Sequence, residues 1–221
     1  MSRFEISKLP ISGYAGNPVA NLFFHPAEAG QASTLALVLP GMRYSADMPL
    51  LYYPTQLFLQ HQADVLQVRA DYTRPDYQAA SAEGQAQRLS EDTRAAWEAG
   101  KAQGSYDKFV LLGKSIGTVA LAHLISSGLG ASATSIWLTP LLYRPQVVDA
   151  ALRIQGPALF VAGRTDPAFD PQAMERICQA TGARALLFDD ANHSLEIPSG
   201  PLDSLKIMAD ILRAISDLLD G

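Results

Sequence analysis

Short runs of almost uninterrupted apolar residues constrain this chain most. They are Thr34–Leu39 (TLALVL), 109–112 (FVLL), Thr134–Leu138 (TSIWL) and 158–162 (ALFVA). Each is too short for a buried helix, and none alternates apolar with polar as a strand with one wet face would. A strand apolar on both sides belongs inside a parallel sheet covered above and below. Parallel neighbours need a crossover, and the segments between the runs have helix-forming composition.

The remaining segments complete the pattern. Residues 4–11 and 19–24 read as lead strands separated by the turn-like stretch 13–18. Helices are predicted over 48–61, 81–103, Ile116–Ser126 and 147–154, and strands over 64–69 and 183–188. Within 81–103, Ala86, Leu89, Thr93 and Trp97 share one helical face. Asp170 is placed to cap a helix that has Pro171 at its first position and ends at Thr181-Gly182. A last helix starts at Pro201, and its stripe of Leu205, Met208, Leu212, Ile215 and Leu219 reads as core packing. The fold class predicted is α/β: a mostly parallel central sheet with helices on both faces. No repeat, low-complexity tract or Pro/Gly/Ser linker divides the chain, so residues 1–221 are expected to form a single domain.

Charge narrows the partners. With 17 basic and 22 acidic residues the net charge is −5, and no Lys/Arg run occurs. Nucleic acid and anionic membrane surfaces are therefore poor partners. The single cysteine, Cys178, allows no internal disulfide and reads as a small buried hydrophobe. The first ten residues lack the apolar core of a signal peptide, and no membrane-length apolar stretch of about 18 residues appears. A soluble, cytoplasmic protein is expected.

The run at 109–112 leads directly into Gly113-Lys114-Ser115-Ile116-Gly117 and then the apolar helix. This is G-x-S-x-G in its required strand–turn–helix setting. Glycines on either side let strand and helix approach closely. The serine is thrust above the sheet at a helix N-terminus, where the dipole and free N–H groups favour negative charge. The competing interpretation is a glycine-rich turn that only caps a helix or holds phosphate. Lys114 is expected to point behind the turn and is given no role.

A nucleophilic hydroxyl needs a base, and the base needs an orienter. Past the strand 158–162 comes Gly163-Arg164-Thr165-Asp166-Pro167; past 183–188 comes Asp189-Asp190-Ala191-Asn192-His193-Ser194-Leu195. Asp166 and His193 thus follow strand ends, on the edge where parallel sheets bind ligands. Asp170 competes with Asp166, but its capping position accounts for it. Asp189 and Asp190 fit a solvated turn. His25 lies in the lead strands, His61 suits a helix C-terminus and His123 lies two turns along the helix after the elbow.

On the segments G-K-S-I-G, G-R-T-D-P and A-N-H-S-L, and on the order of its elements, the chain resembles the α/β-hydrolase superfamily. The resemblance implies Ser115 as nucleophile, Asp166 as orienting acid and His193 as base, with Gly113 and Gly117 as elbow glycines. It implies an oxyanion hole formed by the backbone N–H groups of Ile116 and Met42, although Pro40 stands where a histidine commonly precedes the glycine. Between 142 and 157 there is room for one short helix and no cap domain. Arg43, Tyr44, Leu141 and Leu142 are candidate pocket residues, with Tyr52 and Tyr53 ranked after them. The activity implied is hydrolysis of a small-molecule carboxylic ester or thioester, with no metal or organic cofactor. An acyltransferase with the same three groups and a non-catalytic scaffold are the alternatives.

Overall fold

The computed structural model describes residues 4–27 and 30–220. Eight strands follow the order β1-β2-β4-β3-β5-β6-β7-β8 in one mostly parallel sheet with helices around it. In chain order these are Phe4–Ser7, Asn21–Pro26, Thr34–Leu39, Asp64–Val68, Lys108–Lys114, Thr134–Leu138, Ala158–Gly163 and Arg184–Phe188. The helices α1 to α7 span Pro49–Gln60, Pro75–Gln78, Ala82–Lys101, Ile116–Ser126, Pro145–Ala151, Pro171–Thr181 and Pro201–Asp220. The chain divides into two compact units, at Leu111 and Leu112 within β5.

In the first unit β1 pairs antiparallel with β2, β2 antiparallel with β4, and β3 parallel with β4. Residues Leu35, Ala36, Leu37, Val38 and Leu39 are all buried, as expected of a strand covered on both faces. Several buried polar groups of this unit are paired, although Trp97 Nε1 is buried with no hydrogen-bond partner among the described residues. Asn21 Nδ2 donates to the carbonyls of Leu9 and Val19, and Gln67 Nε2 donates to Thr55 Oγ1. Asp64 accepts from Tyr106 Oη at 2.6 Å and meets His25 Nδ1 at 2.7 Å. Ser81 Oγ caps α3 by accepting from Gly84 N, and Leu89, Thr93 and Trp97 lie on its buried face as the spacing predicts. The four-residue α2 was not anticipated; its Pro75 supplies a helical φ at the first position, in a segment too short to show a period.

In the second unit β6, β7 and β8 run parallel, and Trp137 and Phe160, paired in register, stack at 5.2 Å. Helix α4 packs against α5, and α7 packs across β6, β7 and β8. Helix α4 is apolar nearly all round and buried accordingly. Helix α5 starts two residues before the expected span because Pro145 opens it, and it is the only helix between β6 and β7. Asp170 caps α6 as predicted, its Oδ1 accepting from Gln172 N and Ala173 N.

Two expectations need correction here. The buried stripe of α7 is Ile207, Ile211, Ala214 and Ile215, whereas Leu205 is 58% exposed and Met208 and Leu212 are half-buried. The helix carries two apolar stripes one residue apart in phase, and periodicity alone does not say which one faces the sheet. Cys178 is half-buried rather than buried, and burial raises its thiol pKa. Among the described residues no helix is long and apolar enough to cross a membrane.

Candidate active site

The second unit brings together three side chains from three different strand ends. Ser115 follows β5 with φ +53° and ψ −117°, a backbone conformation that a residue bearing a side chain adopts only when its surroundings impose it. Those surroundings are visible. Ser115 N donates to Leu138 O at 3.0 Å, and Ser115 O accepts from Thr118 N at 2.8 Å and from Thr118 Oγ1 at 2.6 Å. Gly113 is compulsory here, since a Cβ on it would lie 2.6 Å from Gly117 O. That approach is the close strand–helix packing for which the two elbow glycines were singled out.

Asp166 sits in the loop after β7 with its side chain almost wholly buried. Its Oδ1 accepts from Ala168 N at 2.8 Å, and its Oδ2 lies 2.8 Å from His193 Nδ1. The other ring nitrogen, His193 Nε2, is 2.9 Å from Ser115 Oγ. A carboxylate only accepts, so Nδ1 carries the proton and Nε2 is left to accept from the serine hydroxyl. The imidazole is the open member of the set, with 37% of its side chain exposed.

The loop after β8 that carries His193 is stitched to the Asp166 loop. Thr165 Oγ1 and Thr165 N both donate to Ala191 O, at 2.7 and 3.2 Å, and Arg164 N donates to Phe188 O. Arg164 also pairs with Asp189 at 2.9 Å on the surface. Within the loop, Asn192 Oδ1 accepts from Ser194 N and Glu196 N, and Leu195 takes φ +60°. The contact depends on Gly163: a Cβ there would fall 1.9 Å from Ala191 O.

Lys114 is the residue that sequence reasoning missed. It is 2% exposed, and its Nζ donates to Thr139 Oγ1 and to His193 O, both at 3.1 Å. Burial lowers its pKa to about 8, while the charge of Asp166 acts in the opposite sense. The available signal was a lone lysine closing a strand whose preceding residues are apolar. Thr139, at φ +45° and fully buried, carried no signal at all.

The other candidates are placed as follows. Ile116 is the first residue of α4, where backbone N–H groups have no partner within the helix. Leu141 and Leu142 are buried, with Leu141 N donating to Thr118 Oγ1; Tyr143, 60% exposed, is the open residue of that loop. In the first unit, Met42 and Arg43 occupy the tip of a turn closed by Gly41 N to Tyr44 O at 3.0 Å, with Arg43 at φ +57°. Tyr44 Oη accepts from Leu50 N at the start of α1, and Tyr52 and Tyr53 are exposed and form an edge-to-face pair. Of the spare histidines, His25 is engaged by Asp64, His61 is the C-cap of α1, and His123 is partly buried, which lowers its pKa. Among the described residues no group of three or more His, Cys, Asp or Glu side chains is gathered to hold a metal ion.

No family model and no curated protein matches the chain. Solved structures do. A lidless α/β serine hydrolase from Xanthomonas campestris superposes with a TM-score of 0.70 at 18% identity, over 98% of this chain and 94% of that one. This is the α/β-hydrolase fold. A dienelactone hydrolase-like promiscuous phosphotriesterase from metagenomic libraries shares the α/β-hydrolase fold with a TM-score of 0.73 at 16% identity, over 97% of this chain and 98% of the other. Est1E from Butyrivibrio proteoclasticus, solved with ferulic acid bound, gives 0.74 at 10% identity, over 95% and 97%. The likeness extends along essentially the whole of each chain. In this chain the short helix α5 alone stands between β6 and β7 among the described residues.

Proposed function

We propose that the protein is a serine hydrolase that cleaves a carboxylic ester or thioester through Ser115, His193 and Asp166. The observation that carries this reading is the unbroken relay in the second unit, Ser115 Oγ to His193 Nε2 at 2.9 Å and His193 Nδ1 to Asp166 Oδ2 at 2.8 Å. The esterase and dienelactone hydrolase-like names among the structural neighbours agree with it.

The chemistry follows from the protonation states. Ser115 Oγ forms a bond to the acyl carbon as its proton passes to His193 Nε2, and the carbonyl π-electrons move to oxygen. Asp166 holds the ring in the required tautomer and stabilises the imidazolium formed. The backbone N–H of Ile116, at the positive end of α4, is assigned to the resulting oxyanion. Collapse expels the alcohol or thiol, which takes the proton from His193 and leaves an acyl-serine. Water then adds to the acyl carbon as Nε2 takes its proton, and the bond to Ser115 Oγ breaks as that proton passes to the serine, releasing the acid and restoring the enzyme.

A fluorophosphonate probe with mass-spectrometric site mapping tests the assignment. Labelling is expected at Ser115 and is expected to vanish in Ser115→Ala and to fall by about 100-fold or more in His193→Ala. Undiminished labelling of Ser115→Ala would remove that serine from the role. Product analysis of a turned-over ester with an added alcohol separates hydrolysis, which yields only acid, from acyl transfer, which yields a new ester.

A further inference from the structure

Residues 114 and 115 are consecutive, yet both reach His193, and from different directions. Ser115 Oγ meets the imidazole at 2.9 Å, while Lys114 Nζ donates to the main-chain carbonyl of the same histidine at 3.1 Å. Alternation at the end of a strand explains how neighbouring side chains diverge in this way. The amine is anchored in turn by Thr139 Oγ1 at 3.1 Å, in the loop after β6. Three strand ends, β5, β6 and β8, are therefore tied at one buried nitrogen.

We propose that Lys114 is a positioning residue for the hydrolase reaction set out above, on which this inference rests: its buried amine clamps the backbone of His193 and so fixes the height of the imidazole over Ser115. A surface lysine would lose little in water, but this one is buried, and burying an ammonium is unfavourable unless hydrogen bonds compensate. The two acceptors provide them, and the Asp166 carboxylate lies close enough for its charge to favour the cation further. The Thr165 bonds hold the same loop at Ala191, two residues earlier, and the bonds at Asn192 lie within the loop itself, so the amine ties the main chain at His193 to the other strand ends. Reaction geometry is sensitive at this level, and a displacement of about 1 Å in a reacting group costs on the order of 100-fold in rate.

The test compares wild type with Lys114→Met, which keeps most of the volume and removes the donors. Turnover of p-nitrophenyl acetate, fluorophosphonate labelling and amide hydrogen exchange over residues 189–196 are read together. The expected result is a fall of roughly 10- to 100-fold in kcat and in the labelling rate, with KM changed by less than about twofold and exchange in 189–196 accelerated. Labelling within about twofold of wild type, or unaltered exchange in that loop, overturns the clamp. Should Lys114→Met fail to fold, Thr139→Val removes the amine's other anchor and is expected to shift labelling and exchange in the same direction; no shift in either overturns the proposal. A wild-type protein that never labels at Ser115 defeats the hydrolase reading instead, and the exchange comparison then decides the clamp alone.

Discussion

An amine buried as deeply as Lys114 leaves a signature in stability as well as in geometry. Its pKa falls to about 8 in the folded protein from 10.5 for an unperturbed lysine. Below pH 8 both states carry the proton, and the cost of burying the charge is fully present. Between the two values the unfolded chain holds a proton that the folded one has released, so stability rises with pH. Over pH 8 to 10 the gain amounts to about 2 kcal/mol. Cys178, raised by burial, opposes it above the ordinary thiol value of 9.0, and Tyr72 and Tyr106, both raised by burial, oppose it above 10.0. Urea midpoints at pH 7.5 and 9.5 should therefore increase for wild type and lose that increase in Lys114→Met, which retains the cysteine and both tyrosines. Equal pH slopes in the two proteins would show that Lys114 is not the group responsible. At this scale Ser115, Asp166 and His193 were legible because each follows a strand end in a recognisable segment. The contact of Lys114 was not, since a lysine pointing behind an elbow reads the same whether or not its amine meets the carbonyl of a residue as distant in sequence as His193.

The elements set these side chains through loop contacts that tolerate no added atom. Gly163 ends β7, and its α-carbon lies so near Ala191 O that an alanine there would place Cβ at 1.9 Å. Gly163→Ala must push the β8 loop away, which breaks the Thr165 bonds and separates His193 from Asp166. It is expected to lower stability by more than about 3 kcal/mol by denaturant titration and to reduce fluorophosphonate labelling in whatever fraction stays folded. Wild-type labelling in a fully stable Gly163→Ala protein would refute the contact. Element types were readable because apolar runs and caps are local signals; Asp170 with Pro171 located the start of α6 to the residue. The buried face of α7 was not readable, because which of two adjacent stripes meets the sheet is decided by partners far away in sequence. The approach of Gly163 to Ala191 is equally a property of two distant segments.

For the molecule as a whole, the mostly parallel sheet and the single short helix between β6 and β7 agree with the alternation of apolar runs and helical segments. What the alternation could not supply was the internal boundary between Leu111 and Leu112. We propose that residues 1–221 nevertheless unfold as one domain, because that boundary falls inside the continuous strand Lys108–Lys114 rather than in a linker. Thermal denaturation followed by far-ultraviolet circular dichroism and by calorimetry should show one coincident transition, and two resolved steps would refute this. Ser115 is the next residue after that strand. A chain that loses the strand also loses the scaffold of its proposed nucleophile, so warmth should extinguish turnover and structure together. Turnover surviving a heat pulse would then count the molecules that found their way back.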